Sequence, residues 1–197
     1  MNNQQFIYTI QNSIPDETCN EIIKMFENEQ INPGITHSGL NKSVKDTDDF
    51  VIPKNSNKWN NITQLLENEL EKHVNKYFKK LTINIFTQNN YDFMNNTNSW
   101  ISVLMIQRYI KNQGKYIYHN DFSLNNDKSY RIITYLWYLN DVEEGGETEF
   151  WDGEFKIKPE KGKLLLFPAT WTFPHSGKMP ISSNKYIITG WLYVNFN

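Results

Sequence analysis

The second half of the chain consists of short strand-like segments. From Trp100 onward, runs of β-branched and aromatic residues alternate with turn-forming residues such as Gly114 and Gly162, and no helical period intervenes. The predicted strands cover residues 100–110, 116–121, 130–139, 147–151, 154–158, 163–167, 171–175 and 185–194. Eight short strands without a helix among them favour a double-sheet jelly roll, also called a double-stranded β-helix, or a barrel.

The N-terminal part predicts helices that would pack on the outside of this β core. A short strand is expected over 6–10, and then a helix with Ser13 as its N-cap and Pro15 in its first turn. The apolar stripe of this helix includes Cys19, which we therefore expect to be a core residue and not a nucleophile. A longer helix is predicted over 57–81, where apolar residues recur with a helical period.

Two further segments show no regular period. Residues 31–56 are interrupted by proline and glycine and are predicted to form a long loop, either a solvated connection or a flap beside a site. The Asn-rich residues 84–98 predict a loop or an irregular hairpin. We expect a single, mostly β domain over 1–197, with an N-terminal helical support region over 1–98 and the double-stranded β-helix core over 99–197.

Charge and cysteine content restrict the environment and the partners. The formal net charge is −2, and no basic stripe is visible, which argues against a nucleic-acid partner. The single cysteine excludes an intrachain disulfide and suits a reducing compartment. The N-terminal residues have neither a basic region nor a long apolar run, so we expect no signal peptide, no membrane segment and a cytoplasmic location.

A His-x-Asp pair, His119 and Asp121, lies in the predicted strand 116–121. Side chains two residues apart on a strand point to the same face, so an imidazole and a carboxylate would meet in one interior. With four histidines and nine aspartates in the chain, such a pair can arise by chance. His175 would complete the set of two histidines and one carboxylate that leaves open positions on a non-haem Fe(II).

A lysine at the start of the last predicted strand could meet an anion. Strand alternation places Lys185, Ile187, Thr189 and Trp191 on one face. An inward lysine among apolar residues is unfavourable unless an anion pairs with it. A lysine at a strand end that reaches solvent is the alternative; the position ten residues after His175 favours the first interpretation.

Together these motifs resemble the prolyl 4-hydroxylase type of Fe(II)/2-oxoglutarate-dependent dioxygenases. The matching positions are Ser13 to Cys19, Arg108, Tyr109, Gly114, Tyr116, His119, Asp121, Arg131 to Thr134, Tyr138 to Asp141, Gly145 to Phe150, Phe167, Pro168, His175 to Gly177, Pro180, Lys185 and Trp191. The resemblance covers nearly the whole chain and is densest from Gln107 to Trp191. Several spaced motifs in the right order are far more specific than any one of them.

The resemblance implies a role for each matching residue. The implied iron ligands, and so the catalytic centre, are His119, Asp121 and His175. The implied contacts to 2-oxoglutarate are Lys185, at the distal carboxylate, with Tyr109, Tyr138 and Thr189. The implied residues on the peptide side are Tyr116, Arg131 and Trp191. The implied reaction consumes O2, converts 2-oxoglutarate to succinate, uses ascorbate and hydroxylates proline in a peptide or protein.

The identity of the acceptor stays open at this point. The family often has an arginine before the long helix, where this chain has Lys42 and Lys45, and residues 169–174 are more aromatic than in a generic member. A 2-oxoglutarate oxygenase acting on a lysyl side chain, a free amino acid or an alkylated nucleobase is one alternative. A catalytically silent jelly-roll binding module is another.

Overall fold

The computed structural model describes residues 3–85 and 98–195. The helices are α1 (Asp16–Phe26) and α2 (Asn60–Ile85), and short 3-10 segments cover Asn3–Phe6 and Trp151–Gly153. The strands are β1 (Tyr8–Ile10), β2 (Asn32–Pro33), β3 (Lys45–Asp46), β4 (Asp48–Val51), β5 (Asn98–Ile101), β6 (Met105–Tyr109), β7 (Lys115–His119), β8 (Tyr130–Tyr138), β9 (Thr148–Phe150), β10 (Phe155–Ile157), β11 (Leu164–Pro168), β12 (His175–Gly177) and β13 (Lys185–Asn195).

The strands form two antiparallel sheets. The larger sheet has eight strands in the order β1-β11-β8-β13-β6-β4-β2, and β5 also pairs with β13. The smaller sheet has five strands in the order β10-β9-β12-β7-β3. The prediction of a mostly β fold with flanking helices is confirmed.

The larger sheet is buried on both faces, as β8 illustrates. Its residues Ile133, Tyr135 and Trp137 belong to the core cluster that includes the apolar stripes of α1 and α2. Its alternate residues Leu136 and Tyr138 belong to a second cluster that includes Phe150 of the smaller sheet. The strand therefore reads as a nearly continuous apolar run, because each face has its own core.

The predicted core position of Cys19 is confirmed. The side chain is fully buried in α1, and burial raises the pKa of its thiol to about 11. A thiol with so high a pKa carries little thiolate near neutral pH, which makes it a poor nucleophile.

The predicted long loop over residues 31–56 is wrong where three short strands form, but the alternative of a segment beside a site is supported, because Ile35, Thr36 and His37 line the cavity described below. The segment contains β2, β3 and β4, and its residues Lys45, Thr47 and Asp49 are buried. Strand β3 pairs with β7 of the smaller sheet, and β4 pairs with β6 of the larger sheet. The chain thus crosses between the two sheets here and closes one side of the space between them.

Two local predictions also need correction. Residues 171–174 are not a strand, because the amide of Phe173 donates to the carbonyl of Thr170 in a turn, and β12 begins only at His175. Ser13 does not cap α1: the residue at the N-cap is Pro15, and the Ser13 hydroxyl instead accepts a hydrogen bond of 3.1 Å from the indole of Trp137. The Ser13 hydroxyl therefore links the segment before α1 to the larger sheet.

Other boundaries shift by a few residues. The predicted strand 100–110 is divided into β5 and β6, and the long helix runs to residue 85. Most of the Asn-rich segment 84–98 lies outside the described residues. Neither α1 nor α2, the helices of the described part, has the length and apolar character needed to cross a membrane. The cytoplasmic location stays a prediction.

Candidate active site

A cavity of about 640 Å³ lies between the two sheets. Its walls contain nine of the ten residues that the sequence marked for a site: His119, Asp121, His175, Lys185, Tyr109, Thr189, Tyr116, Arg131 and Trp191. The tenth, Tyr138, is fully buried beside the cavity. Residues from 109 to 191 are therefore brought together in one cavity.

The three predicted metal ligands converge. His119 ends β7 and His175 begins β12, and these two residues are directly opposite each other in the strand pair. Asp121 lies two residues beyond the end of β7, in irregular backbone, so strand alternation alone does not place it. One ligand atom from each of the three side chains lies within 4.8 Å of the others.

Backbone contacts orient both imidazoles. The Nδ1 atom of His119 is 2.8 Å from the carbonyl of Ile117, and that of His175 is 3.0 Å from the carbonyl of Phe173. Because a carbonyl only accepts hydrogen bonds, each Nδ1 carries the hydrogen and each Nε2 keeps a free lone pair. The Nε2 atoms lie 3.7 and 3.5 Å from the carboxylate oxygens of Asp121. Such contacts fix the tautomer that a metal requires.

The protonation states also suit a metal. Burial, assisted by the neighbouring His175, lowers the pKa of His119 to about 4, so its imidazole is neutral near pH 7. Burial by itself would raise the pKa of Asp121, but His175, His119 and the hydroxyl of Thr134 outweigh it and hold the pKa below its usual value. The Thr134 hydroxyl donates to Asp121 Oδ2 at 2.7 Å. Two imidazoles and one carboxylate are the donor set of a non-haem Fe(II) site.

Lys185 points into the same cavity from the start of β13. Only 1% of the residue is exposed, and its Nζ donates to the carbonyl of Gly146 at 2.9 Å. The ammonium lies 3.9 Å from the centre of the Tyr109 ring. Burial lowers its pKa to about 7, against the opposing effect of Glu147. Among the described residues no carboxylate forms an ion pair with Lys185, so the site can receive an anion from outside.

The three hydroxyl groups expected near 2-oxoglutarate differ in access. Tyr109 lines the cavity, with its hydroxyl 3.5 Å from Gln107 Oε1. Thr189 also lines it, but its hydroxyl donates to the carbonyl of Tyr135 at 3.0 Å and keeps only acceptor capacity. The Tyr138 hydroxyl donates to Thr148 Oγ1 at 2.7 Å, and it is Thr148 that reaches the cavity.

The residues expected on the peptide side lie around the ligand triad. The Tyr116 ring stacks on His119 with 3.5 Å between ring centres. The Arg131 guanidinium lies 3.6 Å from the centre of a Trp191 ring, and its Nε donates to the hydroxyl of Tyr193 at 2.8 Å. The indole and the phenol thus hold an arginine at the edge of the metal site.

A buried polar cluster in the cavity wall was missed. Lys45 Nζ lies 2.6 Å from Asp49 Oδ2, while Thr47 donates to Oδ1 at 2.8 Å and Gln107 to Oδ2 at 3.3 Å. The signal was present, because residues 45, 47 and 49 share one face if this segment is a strand. The density of charge and the nearby prolines suggested a loop instead.

These features are typical of one class of protein. Two antiparallel sheets that contain two imidazoles, one carboxylate and an unpaired lysine between them resemble the core of a 2-oxoglutarate/Fe(II) oxygenase. Residues 104–193 match the model of the 2OG-Fe(II) oxygenase superfamily. The matched segment contains every residue assigned above to the iron and to 2-oxoglutarate.

A plant relative indicates which type of oxygenase the chain resembles. The chain is similar to "Probable prolyl 4-hydroxylase 10" of Arabidopsis thaliana, with 34% identity over 111 residues, 41% of this chain and 38% of the plant protein. The match thus spans well under half of that relative's length. The resemblance to prolyl 4-hydroxylase type oxygenases that the sequence indicated is confirmed.

Solved structures support the fold over almost the whole chain. A viral collagen prolyl hydroxylase from Paramecium Bursaria Chlorella virus-1, in a 2OG complex, has a TM-score of 0.66 at 20% identity and covers 96% of this chain and 97% of its own. A prolyl hydroxylase of Trichoplax adhaerens, in complex with a peptide fragment of hypoxia inducible factor, has a TM-score of 0.69 at 21% identity, covering 98% and 85%. The predicted jelly-roll core is confirmed.

Proposed function

We propose that this protein is an Fe(II)/2-oxoglutarate-dependent dioxygenase that hydroxylates proline in a peptide or protein. The observation that carries the proposal is the convergence of three ligand atoms within 4.8 Å in a cavity that also contains an unpaired, buried lysine. A structural metal site would not require that lysine, and an apolar binding pocket would not require the triad.

The donor set fits Fe(II) and leaves coordination positions open. His119, Asp121 and His175 would hold the iron, with Thr134 orienting the carboxylate. When bound, the iron supplies the oxidation chemistry with 2-oxoglutarate and O2 as co-substrates. Ascorbate is the proposed reductant that keeps the iron in its ferrous state.

The protein's own contribution is orientation and exclusion of water. Lys185 would hold the distal carboxylate of 2-oxoglutarate and so fix the position of its keto-acid end. Tyr109 would add a hydrogen bond to 2-oxoglutarate from the adjacent strand. Thr148, which accepts a hydrogen bond from Tyr138, would contact 2-oxoglutarate in place of Tyr138, the residue that the sequence indicated. The apolar side chains of Phe167 and Ile187 in the cavity wall keep the site dry.

A peptidyl proline acceptor is favoured by the relatives and by the cavity edge. The plant relative and the structural neighbours are prolyl hydroxylases by name, and one of the neighbours holds a peptide. Arg131, stacked on Trp191 beside the triad, retains donor capacity that suits a peptide carbonyl.

The experiment is turnover of 2-oxoglutarate with a panel of proline-containing peptides, followed by mass spectrometry of the peptides. We expect a mass gain of one oxygen on proline, with one succinate formed per hydroxylation. An Asp121→Ala variant is the control for contaminating activity. Free amino acids and methylated oligonucleotides run in parallel, and turnover with only those would reject the proline assignment while leaving the oxygenase assignment in place. If the wild-type protein, mixed anaerobically with Fe(II) and 2-oxoglutarate, shows no visible band of their complex, the silent binding module is favoured.

A further inference from the structure

Two large aromatic side chains that contact each other are exposed beside the cavity. Trp171 is 66% exposed and Phe122 is 44% exposed, and their rings meet edge to face with 5.3 Å between centres. Phe122 directly follows the ligand Asp121 and lines the cavity, and Trp171 precedes the ligand His175 by four residues. Both rings are therefore tied closely to the metal site through the backbone.

The turn that carries Trp171 is firmly anchored at its base. Phe173 is 5% exposed and packs against Trp151, whose indole N–H donates to the carbonyl of Thr172 at 3.0 Å. The hydroxyls of Thr170 and Thr172 are 2.7 Å apart. Trp171 is thus the outward residue of an ordered turn, and its exposure does not result from a loosely attached loop.

The two segments that carry the pair bring little charge to the surface. Residues 120–124 and 169–174 contain one ionisable side chain, Asp121, and that side chain is turned into the cavity. Leu124 is 64% exposed and lines the cavity next to Phe122. An exposed apolar patch at the rim of a site marks a contact surface, because burial of aromatic area from water is favourable. Any molecule that reaches the triad from this side passes over the patch.

We propose that Phe122 and Trp171 form a specificity subsite for an apolar side chain of the substrate polypeptide, next to the residue that is hydroxylated. This inference deepens the proposed function and depends on its peptide acceptor. A proline ring, a branched aliphatic side chain or an aromatic ring can pack into the angle between the two rings. A lysine at the same position would lose hydration without gaining a partner from either segment.

The test is equilibrium binding to protein loaded with Mn(II) and 2-oxoglutarate, which holds the site without turnover. The probes are fluorescein-labelled peptides with one central proline, flanked on either side by leucine, proline, serine or lysine, and binding is measured by fluorescence anisotropy. Wild type is compared with Trp171→Ala and Trp171→Phe. Ile181→Ala is the matched control, since Ile181 is 45% exposed and does not line the cavity. The affinity for 2-oxoglutarate, measured in each variant, reports an intact core.

We expect peptides with an apolar flank to bind wild type about tenfold more tightly than those with a serine flank. Trp171→Ala should abolish this preference, Trp171→Phe should keep most of it, and Ile181→Ala should leave it unchanged. Equal binding of all flanks, or equal weakening of all peptides by Trp171→Ala, overturns the subsite. So does a wild-type dimer that Trp171→Ala converts to a monomer, since the patch would then join two copies.

Failure of the subsite and failure of the proposed function give different results. Hydroxylation of proline without any preference for the flank refutes the subsite alone. Absence of peptide binding with normal 2-oxoglutarate affinity refutes both the peptide acceptor and the subsite, and leaves the iron and co-substrate assignments standing.

Discussion

The binding of 2-oxoglutarate should be coupled to the uptake of a proton by Lys185. In the free protein this lysine has a pKa of about 7, because burial disfavours the charged form. A carboxylate that pairs with the lysine stabilises the ammonium and raises the pKa again. At pH 8 roughly one free molecule in ten carries the ammonium, so binding should take up about 0.9 proton.

The apparent affinity follows from the fraction of protein that is competent to bind. The apparent dissociation constant for 2-oxoglutarate should rise about tenfold per pH unit above pH 7 and be nearly constant below about pH 6.5. Both carboxyl groups of 2-oxoglutarate are ionised throughout this range, so the ligand does not add a titration of its own. The affinity for 2-oxoglutarate is therefore highest below the pKa of the free lysine and falls as the pH rises above that pKa.

Isothermal titration calorimetry with Mn(II)-loaded protein measures both quantities. Two buffers with different ionisation enthalpies give the proton uptake at each pH. Lys185→Arg keeps a charge at every accessible pH and should flatten the profile. Lys185→Met should remove the pH dependence and weaken binding by about 1.5–3 kcal/mol, roughly 10- to 150-fold. A wild-type affinity that does not change between about pH 7 and pH 9, or zero proton uptake at pH 8, would refute the assignment of Lys185.

Three further outcomes are expected. Thr134→Val removes the hydrogen bond to Asp121 and should lower Mn(II) affinity about 10- to 100-fold in titrations followed by electron paramagnetic resonance. Asp49→Asn leaves the buried Lys45 ammonium without its partner and should lower the free energy of unfolding by about 3 kcal/mol in urea, whereas the double variant Lys45→Met/Asp49→Leu should regain most of it. In metal-free protein the free energy of unfolding should rise between pH 7 and 10.5, because the unfolded state keeps the Lys185 proton there, and Lys185→Met should lack this rise.

Each of these three has a clear contrary result. Unchanged Mn(II) affinity in Thr134→Val would mean that the hydroxyl does not orient the carboxylate. A double variant as unstable as Asp49→Asn would show that the cost arises from the loss of packing and not from an unpaired charge. A stability of the metal-free wild type that falls from pH 7 to 10.5 would contradict the lowered pKa of Lys185.

The sequence was sufficient for the parts of the site that depend on strand alternation and on motif order. Lys185, Thr189 and Trp191 line one cavity because they alternate along a single long strand, and alternation is visible in the residues. Asp121 belongs to the triad but lies beyond the end of β7. The strand-alternation argument that grouped it with His119 was therefore only partly valid.

Other features depend on contacts between distant segments and leave a weak local signal. Whether Lys45 and Asp49 lie in solvent or in a wall depends on pairing with β7 and β6, more than fifty residues away in sequence. Tyr138 looked like a direct contact because its position in the motif is right, but its hydroxyl is taken by Thr148. Trp171 was noticed only as an unusual aromatic, since exposure cannot be read from a turn sequence.

The crossing of residues 45–51 between the sheets has a consequence for where the chain can be shortened. Residues 104–193, the part that matches the superfamily, would on their own leave β6 and β7 each with one side of unsatisfied amides and carbonyls. Bare strand edges of this kind recruit other chains. A fragment of residues 104–193 should therefore associate into insoluble material even though it carries every proposed iron ligand.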